Sequence, residues 1–147
     1  MNISDAEFIN FYQESLGILA VEPDNSVKVL FGLPGVGEEE EWYKKSIAAL
    51  TRLGMSGLIS CYGPEDDIRL AVREMYRSRE DRMWLGCLFS ATDSGEELAR
   101  KFRLDDEEPY QRVVPGFREE LGRIFDEHGV GFGVDLPYDK LFSLKSD

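Results

Sequence analysis

The sequence predicts a single α/β domain spanning residues 1–147, in which helices alternate with about four mainly parallel strands. Short apolar segments rich in branched and aromatic residues predict strands at 27–31, 56–62, 83–89 and 130–136. Segments with helical periodicity separate them, which favours a sheet flanked by helices. A ferredoxin-like α+β arrangement, with an antiparallel last strand, is the alternative.

The apolar segment 83–89 predicts the centre of this sheet. It runs Met-Trp-Leu-Gly-Cys-Leu-Phe with no charged residue, which is typical of a strand buried on both faces. We therefore expect Leu85 and Cys87 to be inaccessible to water.

Five helices are predicted from caps, prolines and apolar residues three and four positions apart. They cover residues 5–16 (closed by Gly17), 38–54, a segment beginning at Pro64, 94–103, and a segment from Pro115 to the stop at Gly129. The first and fourth begin with capping boxes, Ser4 to Glu7 and Ser94 to Glu97.

Charge and composition point to a soluble cytoplasmic protein. The chain has 17 basic and 29 acidic side chains, and its formal net charge is −12. A field of this sign repels nucleic acids and anionic membranes and attracts basic partners. The sequence shows no basic leader and no apolar segment long enough to span a bilayer. The two cysteines lie in apolar segments, which indicates reduced thiols.

Glycines at 32, 35 and 37 have the spacing of a phosphate-binding loop, but the residues that follow them differ from that motif. That loop needs Lys and then Ser or Thr after its last glycine, and this chain has Glu38 and Glu39 there. We therefore predict a structural turn and no nucleotide cofactor. The carboxylate runs 38–41 and 105–108 lack the alternating ligands of a calcium loop, so no metal is expected either.

Cys61 and His128 are the residues that could form a nucleophile–base pair. Cys61 belongs to a predicted apolar strand, and His128 extends the apolar face of the last helix. No oxyanion-hole motif accompanies them. A structural role is therefore favoured for both residues.

Two further features have polar groups that could bind a ligand. Glycines on one face of segment 130–136 leave space for another backbone or a ligand, and Asp135 projects from that face. Arg69, Arg73 and Arg77 recur at every fourth residue and could hold an anion. Pairing with neighbouring carboxylates is the favoured interpretation of this arginine ladder.

These features favour a binding protein over an enzyme. The profile resembles that of bacterial immunity proteins and antitoxins, small acidic proteins that mask the basic active cleft of a toxin or nuclease. The predicted partner-binding residues are Glu38, Glu39, Glu40, Glu41, Trp42, Tyr43, Asp105, Asp106, Glu107 and Glu108. Trp42 is expected either as an exposed anchor or as a core residue. The protein would act as a monomer or homodimer, without direct nucleic-acid or membrane contact.

Two alternatives stay open. Acidic runs that stand in for phosphates would make the protein a nucleic-acid mimic, able to bind several unrelated basic proteins. A small α/β hydrolase or transferase would use Cys61, His128 or Asp135.

Overall fold

The computed structural model describes residues 3–104 and 112–138, and helices dominate these ranges. The elements are α1 (Asp5–Phe8), a π-helical turn (Ile9–Gln13), α2 (Glu14–Val21), α3 (Val27–Phe31), α4 (Glu39–Met55), β1 (Ile59–Tyr62), α5 (Ile68–Arg77), α6 (Asp81–Trp84), β2 (Leu88–Ala91), α7 (Asp93–Lys101) and α8 (Phe117–Glu127). Helices predicted at 38–54, 94–103 and 115–128 correspond to α4, α7 and α8. No helix in the described ranges has the length and apolarity needed to span a membrane.

The sheet is the main correction to the predicted fold. Only β1 and β2 pair in the described residues, and they run antiparallel with Cys61 opposite Phe89. An isolated antiparallel bridge also pairs Asn25 with Phe89. The prediction of four mainly parallel strands is therefore wrong, and the ferredoxin-like alternative also requires more strands than these two.

The first helical segment extends beyond the predicted stop. Ser4 caps α1 by accepting a hydrogen bond from the Glu7 amide at 3.1 Å. The helix then continues through the π-helical turn and past Gly17 to Val21. A Cβ atom at Gly17 would lie 2.4 Å from the carbonyl oxygen of Leu104. Gly17 therefore permits close backbone packing and does not end the helix.

Segment 27–31 is a helix, although its branched and aromatic residues predict a strand. Val27, Leu30 and Phe31 are buried, while Lys28 and Val29 are exposed. This is a helical i, i+3, i+4 pattern. In a segment of only five residues this pattern is too short to identify a helix from the sequence, because the strand propensity of the residues is the stronger signal.

Segment 83–89 contains parts of two elements. Met83 and Trp84 end α6, a turn follows at 85–86, and β2 begins at Leu88. Cys87 is fully buried as predicted, but Leu85 is 39% exposed at the turn, so the prediction of an inaccessible Leu85 is wrong. The continuous apolarity arises because α6 and β2 both bury side chains in the same core.

Segment 130–136 is not a strand; it is a turn that packs on the helices. Val130 is buried, and the Phe132 ring meets the ring of Tyr12 edge-on at 5.2 Å. Arg52 of α4 is buried beneath this segment and donates hydrogen bonds to the Val130 carbonyl at 3.0 Å and to the Tyr12 hydroxyl at 2.8 Å. The C-terminal segment is thereby held against α4 and the π-helical turn.

Candidate functional site

The acidic run Glu38–Glu41 lies at the N-terminus of α4 and is exposed along its whole length. Carboxylates are stabilised there by the positive end of the helix dipole. Glu38 and Glu39 form no ion pair with another described residue, and Glu41 lies 3.9 Å from Lys44 in a largely exposed pair. Three of the four carboxylates are therefore available to a partner.

Glu40 differs from its neighbours because it binds Arg79. Both carboxylate oxygens accept hydrogen bonds from the guanidinium, one of them at 2.7 Å from Nη2. The hydrogen bond from Arg79 lowers the pKa of Glu40. The same guanidinium lies over the ring of Tyr43, with 4.3 Å between Cζ and the ring centroid. A carboxylate and an aromatic face thus hold one guanidinium together.

This arrangement borders a groove with a volume of about 530 Å³. That volume lies in the range of small-ligand and side-chain binding sites. The groove runs between α4 and α5 and is lined by Glu40, Tyr43, Lys44, Ile47, Met75, Tyr76, Arg79, Trp84 and Tyr138. Four of these nine side chains are aromatic, and charged groups of both signs lie at the edge of the groove.

The aromatic walls are fixed by contacts with one another. The Tyr43 ring is perpendicular to that of Trp84, with centroids 4.7 Å apart, and the Trp84 indole donates a hydrogen bond to the Ser78 carbonyl at 2.8 Å. The rings of Tyr76 and Tyr138 lie 4.8 Å apart. Burial raises the pKa of Tyr138 to about 12.

Trp42 is a core residue and not an exposed anchor. Its side chain is 8% exposed, and its ring lies 6.0 Å from that of Trp84. Its indole nitrogen donates a hydrogen bond to the Phe31 carbonyl at 3.4 Å. Of the two predicted aromatic partner-binding residues, Tyr43 lines the groove between α4 and α5, whereas Trp42 is buried and borders a smaller cavity beside the acidic run.

The apolar groups beside the acidic run lie in the glycine-rich connection between α3 and α4. Leu33 is 72% exposed and Val36 is fully exposed. Leu33 also borders a smaller cavity of about 170 Å³, together with Glu38 and Glu41. Because a helix precedes this connection, it lacks the strand–loop–helix context of a phosphate-binding loop.

The second predicted acidic run, Asp105 to Glu108, lies outside the described residues. Its predicted part in partner binding stays a prediction.

The residues considered for catalysis are not brought together as a reactive pair. Cys61 is buried, its Sγ contacts the Glu65 carbonyl at 3.4 Å, and burial raises the pKa of its thiol to about 12. His128 is exposed, and its Nδ1 lies 2.9 Å from the Ile124 carbonyl at the end of α8. Asp135 is exposed on the C-terminal turn and lines none of the grooves described above.

The arginine ladder is divided between surface and core. Arg73 is buried, with Nε 3.4 Å from Glu74, while Arg69 and Arg77 are exposed. Arg77 lies 3.5 Å from the same Glu74 carboxylate. For Arg73 and Arg77, these contacts agree with the interpretation of internal pairing.

Sequence reasoning missed the residues that complete the groove. Tyr76, Arg79 and Trp84 follow one another closely in sequence, but the apolar segment that contains Trp84 predicts a central strand. The signal that could have identified them is the concentration of Tyr, Trp and Arg between 76 and 84, a composition enriched in binding surfaces.

Within the described residues, no group of three potential ligands could hold a metal ion. Comparison with known protein families, with curated proteins and with solved structures finds no match for this chain. The acidic run and the two cavities beside it are therefore the features from which a function can be inferred.

Proposed function

We propose that this chain is a protein-binding protein of the cognate-inhibitor type, which masks a basic surface of a toxin or nuclease-like partner. The observation that carries the proposal is that exposed carboxylates and exposed apolar side chains adjoin one another in segment 33–41. Leu33 and Val36 precede Glu38, Glu39 and Glu41, and all five are exposed. Interfaces of high affinity combine such apolar contacts with a polar rim.

The acidic run would contribute mainly to the rate of association. Complementary charges steer diffusional encounter, and the effect weakens as salt screens exposed groups over about 8–10 Å. The apolar side chains would contribute mainly to the lifetime of the complex because their burial stabilises the bound state and is not weakened by screening. Two unpaired, buried cysteines support the further proposal of a cytoplasmic location.

Affinity capture with matched variants tests the proposal. The test variant is Glu39→Lys/Glu41→Lys, which reverses two exposed carboxylates near the start of α4. The control is Asp93→Lys/Glu97→Lys, which reverses two exposed carboxylates near the start of α7 and causes the same change in net charge. Captured proteins from cells of the source species are quantified by mass spectrometry, and the leading candidate is then purified for stopped-flow binding.

We expect one basic protein to be captured by the wild type and the control, and to associate at least about tenfold more slowly with the test variant. Association of the test variant as fast as that of the wild type would remove the acidic run from the interface. Equal losses in both variants would show that bulk charge alone is responsible. Capture of many unrelated basic proteins, all released by double-stranded DNA, would favour the nucleic-acid mimic instead.

A further inference from the structure

The groove between α4 and α5 already holds a guanidinium group, that of Arg79. Glu40 binds it through both carboxylate oxygens, and the Tyr43 ring lies beneath it at 4.3 Å. A bidentate carboxylate and an aromatic face are the two elements that proteins use to recognise arginine. The position of Arg79 therefore shows which chemistry the groove selects.

The groove is larger than the part that Arg79 uses. Its volume is about 530 Å³, and Tyr76, Trp84 and Tyr138 supply further aromatic surface within it. Lys44 is the other cation at its edge, and it lies beside Glu41. A second cationic side chain could thus contact aromatic side chains of the groove beyond the Glu40–Arg79 pair.

We propose that the groove accepts an arginine side chain of the basic partner, which replaces Arg79 on Glu40 and on the ring of Tyr43. The inference rests on the proposed function because it takes the partner to be a basic protein. In the free protein, Arg79 occupies the position that the arginine of the partner takes in the complex.

Exposure of the internal pair makes this exchange feasible. The side chains of Arg79 and Glu40 are 48% and 65% exposed, and exposed ion pairs contribute little to stability. Arg79 lies in the connection after α5, so its side chain can turn to solvent without breaking a helix. Arginine fits better than lysine because only the planar guanidinium forms two parallel hydrogen bonds with a carboxylate.

The test uses a probe that does not require the natural partner. The probe is N-acetyl-arginine methylamide, and the neutral isostere N-acetyl-citrulline methylamide is its control. Binding to the ¹⁵N-labelled full chain is followed by NMR at the Trp84 indole and the Tyr43 amide, with amides of α8 as a reference. The proteins are wild type, Arg79→Ala and Glu40→Gln/Arg79→Ala, each checked for an unchanged fold by its spectrum.

We expect Arg79→Ala to bind the arginine probe about tenfold more tightly than wild type, because the internal competitor has been removed. The double variant should lose this gain, and the citrulline probe should not bind. Equal binding of both probes, or no binding to Arg79→Ala, would overturn the proposal. A negative result here together with a slower-associating Glu39→Lys/Glu41→Lys variant would retain the proposed function and reject only the arginine site.

Discussion

Gly17 and Gly122 provide a matched pair of substitutions that tests the packing of the fold. Both residues lie inside helices, Gly17 in α2 and Gly122 in α8. Alanine favours a helix interior over glycine by about 1 kcal/mol. Helix propensity alone therefore predicts that Gly17→Ala and Gly122→Ala stabilise the protein equally.

The surroundings of the two glycines predict opposite results. A Cβ at Gly17 would lie 2.4 Å from the carbonyl oxygen of Leu104, about 1 Å closer than ordinary contact. At Gly122 the nearest neighbours of a Cβ would be ring carbons of Phe132, at 4.0 Å. Overpacking costs about 1–3 kcal/mol, which exceeds the gain in helix propensity at Gly17. Gly17→Ala should thus destabilise by about 1 kcal/mol, and Gly122→Ala should stabilise by up to about 1 kcal/mol.

Urea denaturation of the two variants beside wild type measures the difference in free energy of unfolding. The two midpoints should move in opposite directions, and thermal midpoints should differ by roughly 4–8 °C for a chain of this size. If Gly17→Ala stabilised the protein as much as Gly122→Ala, the close approach of Leu104 to α2 would be refuted. Equal destabilisation by both would show instead that α8 does not pack as described.

The remaining predictions concern three buried side chains. Trp42→Ala should lower the free energy of unfolding by about 3–5 kcal/mol in a denaturant melt, because the indole packs in the core; an unchanged value would place Trp42 on the surface. Arg52→Met should cost about 3 kcal/mol, because buried carbonyl groups lose a charged donor, and Arg52→Lys should recover part of this loss; a neutral Arg52→Met would contradict the hydrogen bonds described. Cys61 should not react with Ellman's reagent at pH 8 until the protein is unfolded, because a thiol whose pKa is raised from 9.0 to about 12 stays protonated there. Since the folded-state pKa is the higher one, this thiol should also make stability fall as pH rises from about 9 to 12, and rapid reaction of the native protein would contradict both expectations.

Long periodic segments with clear caps were predictable from the sequence. The helices α4, α7 and α8 carry their signals locally, in apolar periodicity, in first-turn carboxylates and, for α8, in Gly129 just beyond its end. Two details of the prediction are wrong, because Thr92 and not Ser94 caps α7, and because α4 continues past Gly54 to Met55. The chain itself supplies enough information for such elements because propensity, periodicity and capping agree.

Short apolar segments were not predictable because their contacts are tertiary. Segment 27–31 forms α3 even though its residues favour a strand, and 83–89 changes from helix to strand at an exposed Leu85. In both cases burial against distant residues overrides local propensity. The same reason explains the groove, since α4, α5 and Tyr138 meet there only after folding.

The acidic run of the candidate surface was recognisable because charge is a local property. Which of its carboxylates form an ion pair was not recognisable, since the Glu40–Arg79 pair joins residues 39 positions apart. Trp42 shows the same limit, because an aromatic residue beside four glutamates gives no local signal of burial.

The described residues on either side of 105–111 are each held by contacts with the first helical segment. Before them, the Leu104 carbonyl packs on Gly17. After them, the Gln13 side chain donates a hydrogen bond to the Arg112 carbonyl at 2.8 Å and accepts one from the Val114 amide at 2.9 Å, as a neighbouring backbone strand would. Gly17 and Gln13 belong to the same continuous helical segment, which therefore holds both described ranges, one through close backbone packing and the other through a side-chain amide that takes the place of a backbone partner.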